Sequence, residues 1–324
     1  MDLDAHPRYP FREVPMDQAN IKGVLAPVIT PFQKDLAPDG DRFVAHSKWL
    51  LDQGVSGLAI FGTTSEANSL SVEERIALFD RLLSEGIPPA RLMPGTGCCA
   101  LTDSVRLTRH VVEAGCAGVL MLPPFYYKGV TEEGVFRSFA EVIERVGDSR
   151  LRIYLYHIPQ VSQVPFPIPL IERLLSAYPG AIAGIKDSSG DPGHLRALLD
   201  AFAGTSFDIF PGSEMLLLEG LRHGGAGCIT ATGNVNPGPI AHLYHHWRSA
   251  EADALQAGLD AVRLAIQAFP MIPAVKATVA HFAGDEAWSR VRPPLVELGP
   301  VQKAPLMAQL EALGFRMPGI SSRR

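Results

Sequence analysis

The chain has 324 residues, with 29 Lys+Arg against 34 Asp+Glu and a formal net charge of -5. Its 47% hydrophobic and 19% charged residues are those of a globular protein, neither disordered nor collagen-like despite 30 Gly and 27 Pro. The mildly acidic balance argues against nucleic acid or an anionic membrane as main partner, and no run approaches the ~18 apolar residues of a membrane span.

Residues 1–20 read as a polar, proline-containing leader without the apolar centre of a signal peptide, which predicts a cytoplasmic protein. From residue 23 onward, short apolar runs alternate with longer amphipathic segments. The runs are GVLAPVITPF from 23, GLAIFGTTSE from 57, RLMPGTG from 91, GVLMLPP from 118, LRIYLYHIP from 151, IAGIKDSS from 182, FDIFPGSE from 207 and GCITATGN from 227. Between them, Val72, Ile76, Phe79 and Leu83 share one helical face in 71–86; Val135, Phe136, Phe139, Val142, Ile143 and Val146 share one in 131–147. Ser71 and Thr131 stand at capping positions, and Gly86, Gly115 and Gly147 stand where helices should stop.

Continuous apolar strands alternating with helices demand a parallel sheet covered on both faces. Eight such units between 21 and 250 predict an α/β fold, a (β/α)8 TIM barrel. A doubly wound sheet is the competing order. Its fingerprint is weak here: Gly95-Thr96-Gly97-Cys98-Cys99-Ala100 fits G-x-G-x-x-A, but the next run ends in Leu122-Pro123-Pro124 rather than an acidic residue. Further helical stretches at 251–268, 271–283 and 302–314, joined through Val291-Arg292-Pro293-Pro294, predict a C-terminal helical extension over 251–324 packed on the barrel. Its tail, Gly319–Arg324, should be loose.

In such a barrel the site lies at the C-terminal ends of the strands. That selects Thr30, Gly62 to Glu66, Pro124 to Tyr127, Tyr156-His157, Lys186-Asp187, Gly212-Ser213-Glu214 and Ile229-Thr230. Lys186 ends the run Ile182-Ala183-Gly184-Ile185, so its amine should enter the barrel mouth beside apolar walls. Loss of hydration there disfavours an ammonium and favours an amine that attacks a ketone; a lysine snorkelling to solvent is the ordinary alternative. Tyr156 could move protons for that amine, or be a plain core tyrosine. The turn Gly62-Thr63-Thr64 could cradle a carboxylate with hydroxyls and amides, or be an ordinary strand-to-helix connection.

GTTSEANSLSVEER, PPFYYKGVTEEG, YLYHIP, GIKDSSGD and GCITATGN, in this order and spacing, resemble the dihydrodipicolinate synthase / N-acetylneuraminate lyase family from about 21 to 314. The resemblance implies a lyase that forms a Schiff base with pyruvate or a related 2-keto acid. Lys186 would form the imine, Tyr156 would handle its protons, and Thr63 and Thr64 would hold the keto-acid carboxylate. Tyr127 would be lent across a dimer interface to complete a Tyr–Thr–Tyr relay, and Ile229 would contact the keto acid through its carbonyl. No metal or organic cofactor is implied, and a homotetramer built as a dimer of dimers is the family habit.

Three departures bear on the substrate. Val161 stands where dihydrodipicolinate synthases carry an arginine for the carboxylate of aspartate semialdehyde, and the adjacent Ser162 is nearer the neuraminate lyase version. Ser65 replaces the usual glycine after the two threonines. Gly212-Ser213-Glu214 stands where members choose the aldehyde partner, and its hydroxyl and carboxylate suit the hydroxyls of a sugar acid. The reading therefore predicts an aldolase or dehydratase acting on pyruvate or a 2-keto-3-deoxy acid. True dihydrodipicolinate synthase activity and a catalytically silent keto-acid sensor or scaffold are the alternatives.

The remaining candidates predict no separate site. His242, His245 and His246 lie at i, i+3 and i+4 without an acidic or cysteine partner, which suits a solvated helix face. Cys98, Cys99, Cys116 and Cys228 show no paired spacing and read as reduced thiols.

Overall fold

A computed structural model describes residues 20–320; the leader 1–19 and the tail positions 321–324 lie outside the described residues. Among the described residues, seven parallel strands are formed: β1 (Gly23–Ala26), β2 (Gly57–Leu58), β3 (Val119–Met121), β4 (Ile153–His157), β5 (Ile182–Asp187), β6 (Asp208–Pro211) and β7 (Gly227–Ile229). They fall in the orders β2-β1-β7 and β3-β4-β5-β6. The predicted strand from 91 is reduced to two isolated parallel bridges, Leu58↔Leu92 and Gly95↔Leu120, one to each side. Hydrogen bonds Met93 N–H to Leu58 O (2.9 Å) and Leu120 N–H to Pro94 O (2.9 Å) seat it between β2 and β3. Ala226 N–H donates to Ile209 O (2.9 Å) and closes the ring between β6 and β7.

The side chains confirm closure. Leu25, Ala59, Met93, Leu120, Tyr154, Ala183, Phe210 and Ile229 form one buried cluster, with an inward residue from every strand position, as a filled barrel lumen requires. The Gly95-x-Gly97 pair has a packing cause. A Cβ on Gly95 would lie 2.0 Å from Phe61 O, and one on Gly97 2.4 Å from Leu122 N. These glycines let neighbouring backbones meet; they do not mark a dinucleotide turn.

The helices follow their local signals. Val72–Ser84 starts with a complete capping box, Ser71 Oγ accepting from Glu74 N–H (3.1 Å) and Glu74 accepting from Ser71 N–H (2.9 Å). Glu132–Val146 is capped by Thr131 and stopped by Gly147 at φ 63°. Ala252–Gln267, Met271–Ala283 and Pro300–Ala312 pack on one another, and Ala252–Gln267 also packs against Pro237–His246 and Glu214–Leu216. The turn joining the first two of these three comes over the barrel mouth. No single helix among the described residues is long and apolar enough to cross a membrane.

Candidate active site

Strand register builds the centre. Tyr156 on β4 pairs with Lys186 on β5, so both side chains enter the barrel mouth at one level. Both are about 3% exposed. The Lys186 Nζ sits 4.3 Å from the centroid of the Tyr156 ring, a cation–π contact, and no carboxylate among the described residues forms an ion pair with it. The Tyr156 hydroxyl lies 3.1 Å from Thr63 Oγ1, within hydrogen-bond distance.

The turn carrying Thr63 and Thr64 is tightly wound. Ser65 N–H and Ala67 N–H both donate to Gly62 O (3.1 and 3.2 Å), and Glu66 N–H donates to Thr63 O (3.0 Å). Ser65 is not a spare side chain: its Oγ accepts from Gly62 N–H (3.2 Å), while its carbonyl accepts from Thr30 Oγ1 (2.7 Å). The hydroxyl thus ties down the turn from within.

A cavity of about 420 Å³ opens above these groups, its wall including Thr63, Thr64, Tyr156, Lys186, Gly212 and Ser213. Gly212 must lack a side chain, since a Cβ there would lie 2.0 Å from Ser188 Oγ. The opposite wall comes from the C-terminal helices, through Arg263, Met271 and Ile272. These three, with Gln160 and Ser188, escaped the sequence reading. Arg263 looks like any solvated cation of an amphipathic helix, and only the tertiary fold turns it inward.

The side chains of four other sequence candidates lie off this cavity wall. Glu214 is fully buried and off the cavity wall; its carboxylate accepts from Thr230 and Thr232 hydroxyls and pairs with Arg263 (3.3 Å). Expected to meet substrate hydroxyls, it instead holds the cavity-wall arginine, because a buried carboxylate needs all its partners within the protein. Ser162 is buried, its hydroxyl donating to Ile158 O (3.1 Å) within the short helix Pro159–Ser162 rather than facing the cavity. Ile229 is fully buried and its side chain fills the lumen, which leaves the contact expected of its carbonyl unopposed. Tyr127 is 71% exposed on the rim, its ring edge-on to Tyr126 at 5.4 Å, and does not reach the cavity of its own chain. Val161 is likewise exposed.

His157, Asp187 and His194 gather behind the lysine. The two histidine rings are stacked at 4.5 Å with a 15° interplanar angle. Within the group, Asp187 accepts from Ser189 N–H (3.0 Å) and pairs with His194 Nδ1 (3.1 Å), and His157 Nδ1 accepts from Phe166 N–H (3.1 Å). Burial pushes His157 down to about 4, while the Asp187 hydrogen bond raises His194. Of the thiols, Cys98 is raised by burial and Cys116 is pushed up to about 12, so neither is a ready nucleophile. The His242 and His246 rings meet at 4.1 Å, tilted by 32°, on Pro237–His246.

A model of the dihydrodipicolinate synthetase family matches residues 20–313. An uncharacterized DapA-like lyase of Chloroflexus aurantiacus is 33% identical over 297 residues, covering 91% of this chain and 98% of the relative. A 4-hydroxy-tetrahydrodipicolinate synthase of Bartonella bacilliformis is 30% identical over 300 residues, covering 91% and 99%. Among solved structures, dihydrodipicolinate synthase of Agrobacterium tumefaciens superposes with a TM-score of 0.83 at 32% identity, covering 90% of this chain and 99% of that one. YagE of E. coli K12, solved in complex with pyruvate, superposes with a TM-score of 0.82 at 27% identity, covering 91% and 99%.

Proposed function

Because the chain belongs to the dihydrodipicolinate synthetase family, we propose that it is a Schiff-base lyase acting on pyruvate or a 2-keto-3-deoxy acid. The observation that carries this reading is the buried Lys186 amine over the Tyr156 ring, with the Tyr156–Thr63 hydrogen bond beside it. The Lys186 amine adds to the C2 ketone, and the carbinolamine loses water as Tyr156 delivers a proton to the departing hydroxyl. The resulting iminium withdraws electrons from the C3–C4 bond. In the cleavage direction Tyr156 accepts the proton of the C4 hydroxyl, the C3–C4 bond breaks, and an enamine and an aldehyde remain. Protonation at C3 and hydrolysis return the amine and the keto acid. Thr63 and Thr64 hold the carboxylate, and the chemistry asks for no organic cofactor.

The wall beyond C3 favours a hydroxylated partner over aspartate semialdehyde. Val161 supplies no guanidinium, and Arg263, the guanidinium on the cavity wall among the described residues, is engaged by Glu214 and Thr230. Gln160, Ser188 and Ser213 offer neutral polar groups instead. Tyr127 on the rim suits a relay completed by a second copy of the chain, so we propose a dimer as the smallest active unit.

Enamine formation is tested by proton NMR of pyruvate in D2O. The methyl signal should wash out with catalytic protein and persist with Lys186→Ala. Persistence with the wild-type protein would leave, at most, the silent sensor.

A further inference from the structure

The sequence reading made no use of Lys276. It is the one acid or base in the otherwise apolar stretch Met271–Ala280, and it is fully buried. Its ammonium contacts Glu66 Oε1, and both side chains are 0% exposed. Glu66 closes the turn that carries Thr63 and Thr64, and it does so at φ 55°, a left-handed conformation costly for a residue with a side chain. Its second oxygen accepts from Arg292 N–H (3.0 Å), and Lys276 Nζ donates to Arg290 O (2.6 Å). One carboxylate and one ammonium thus join the turn, the helix Met271–Ala283 and the strap 290–292. Phe32 lies beneath, its ring centroid 4.4 Å from Lys276 Nζ.

A buried pair of this kind contributes little net stability over an apolar substitute, but it fixes geometry, because removing one partner strands a charge. From this arrangement we infer that Glu66 and Lys276 are positioning residues: their ion pair holds the Thr63–Thr64 turn in its carboxylate-binding shape and ties that shape to the C-terminal helices. The ligand named here rests on the proposed keto-acid reading; the clamp itself does not. The same helix begins with Met271 and Ile272 on the cavity wall, so one element forms one wall and positions the other.

The clamp carries a pH signature. Burial brings the Lys276 ammonium down to about 8, with Glu66 and Glu297 opposing and Arg292 assisting. Arg292 is itself neutralised by Glu74 of Val72–Ser84. Above pH 8 the ammonium is lost, the pair becomes amine and carboxylate, and the turn loosens.

The test uses the full chain and Glu66→Gln. Hydrogen–deuterium exchange of peptides over 62–70 should quicken, and the pyruvate KM should rise on the order of tenfold or more, with kcat falling less. If Glu66→Gln fails to fold, the charge-free pair Glu66→Gln/Lys276→Met serves in its place, with the same expectation. Wild-type KM should climb through pH 8, and the double variant should lack that limb. Unchanged exchange over 62–70 in a folded variant, or a KM equal to wild type, overturns the inference. If wild-type protein never exchanges pyruvate protons, the keto-acid reading fails on its own and the exchange result still decides the clamp.

Discussion

At the scale of single residues, the proposed chemistry separates binding from proton transfer. In that proposal Lys186 makes the covalent bond, so Lys186→Ala should remove all turnover. Tyr156→Phe keeps the ring on which the amine rests but deletes the hydroxyl 3.1 Å from Thr63. Turnover should fall by on the order of 10²–10⁴, the range for a lost general acid–base, while a keto-acid adduct still accumulates in intact-mass spectra. Tyr127→Phe should lower turnover with imine formation preserved; an unaffected steady-state rate removes Tyr127 from the relay. Lys186, Tyr156, Thr63 and Thr64, which share one cavity wall, could be singled out from the sequence because strand-end position and motif coincide in them. It misled at Glu214 because that strand-end carboxylate finds its partners elsewhere in the chain, and at Ser162 because the hydroxyl is spent on the backbone of its own short helical turn. The two threonine hydroxyls and the guanidinium that engage Glu214 leave no trace in the spacing around it.

At the scale of elements, the helix ends and most strands were legible, since caps, stops and apolar runs are local features. Ser71→Ala should cost about 1 kcal/mol, read from chemical denaturation, as it removes one half of a capping box. The strand from 91 was legible as a run but not in its reduced form. There Pro94 has no N–H to give, and Gly95 and Gly97 let the backbone press against Phe61 and Leu122. Gly95→Ala should therefore disrupt folding far more than the cap change, because its new Cβ would meet Phe61 O at 2.0 Å. Soluble expression and circular dichroism would show the contrast. Lys276 offered a signal that went unread: an ionisable residue within an apolar helical stretch needs a buried partner.

At the scale of the whole molecule, barrel closure was implied by the number of units, whereas the inward turn of Arg263 depended on how the C-terminal helices lie across the mouth. Stability against acid is also a property of the whole fold. His46 and His157 are both lowered to about 4 by burial. The unfolded chain therefore binds more protons between pH 6.5 and 4, and stability falls as pH drops through that window. Each shift is worth on the order of 3 kcal/mol at its acid end. His194, raised by Asp187, works with the opposite sign: its contribution is full below its unfolded value and is lost as pH rises through the folded one. The melting temperature should fall from pH 6.5 to pH 4.5, less steeply in His157→Asn; a flat wild-type profile would contradict the assignment. The central claim, a covalent imine on Lys186, is tested most directly by borohydride reduction with pyruvate followed by peptide mass mapping. The account predicts one reduced pyruvate adduct per chain, on the peptide containing Lys186 and absent in Lys186→Ala. Folded protein without an adduct, or with the adduct on another lysine, would contradict it.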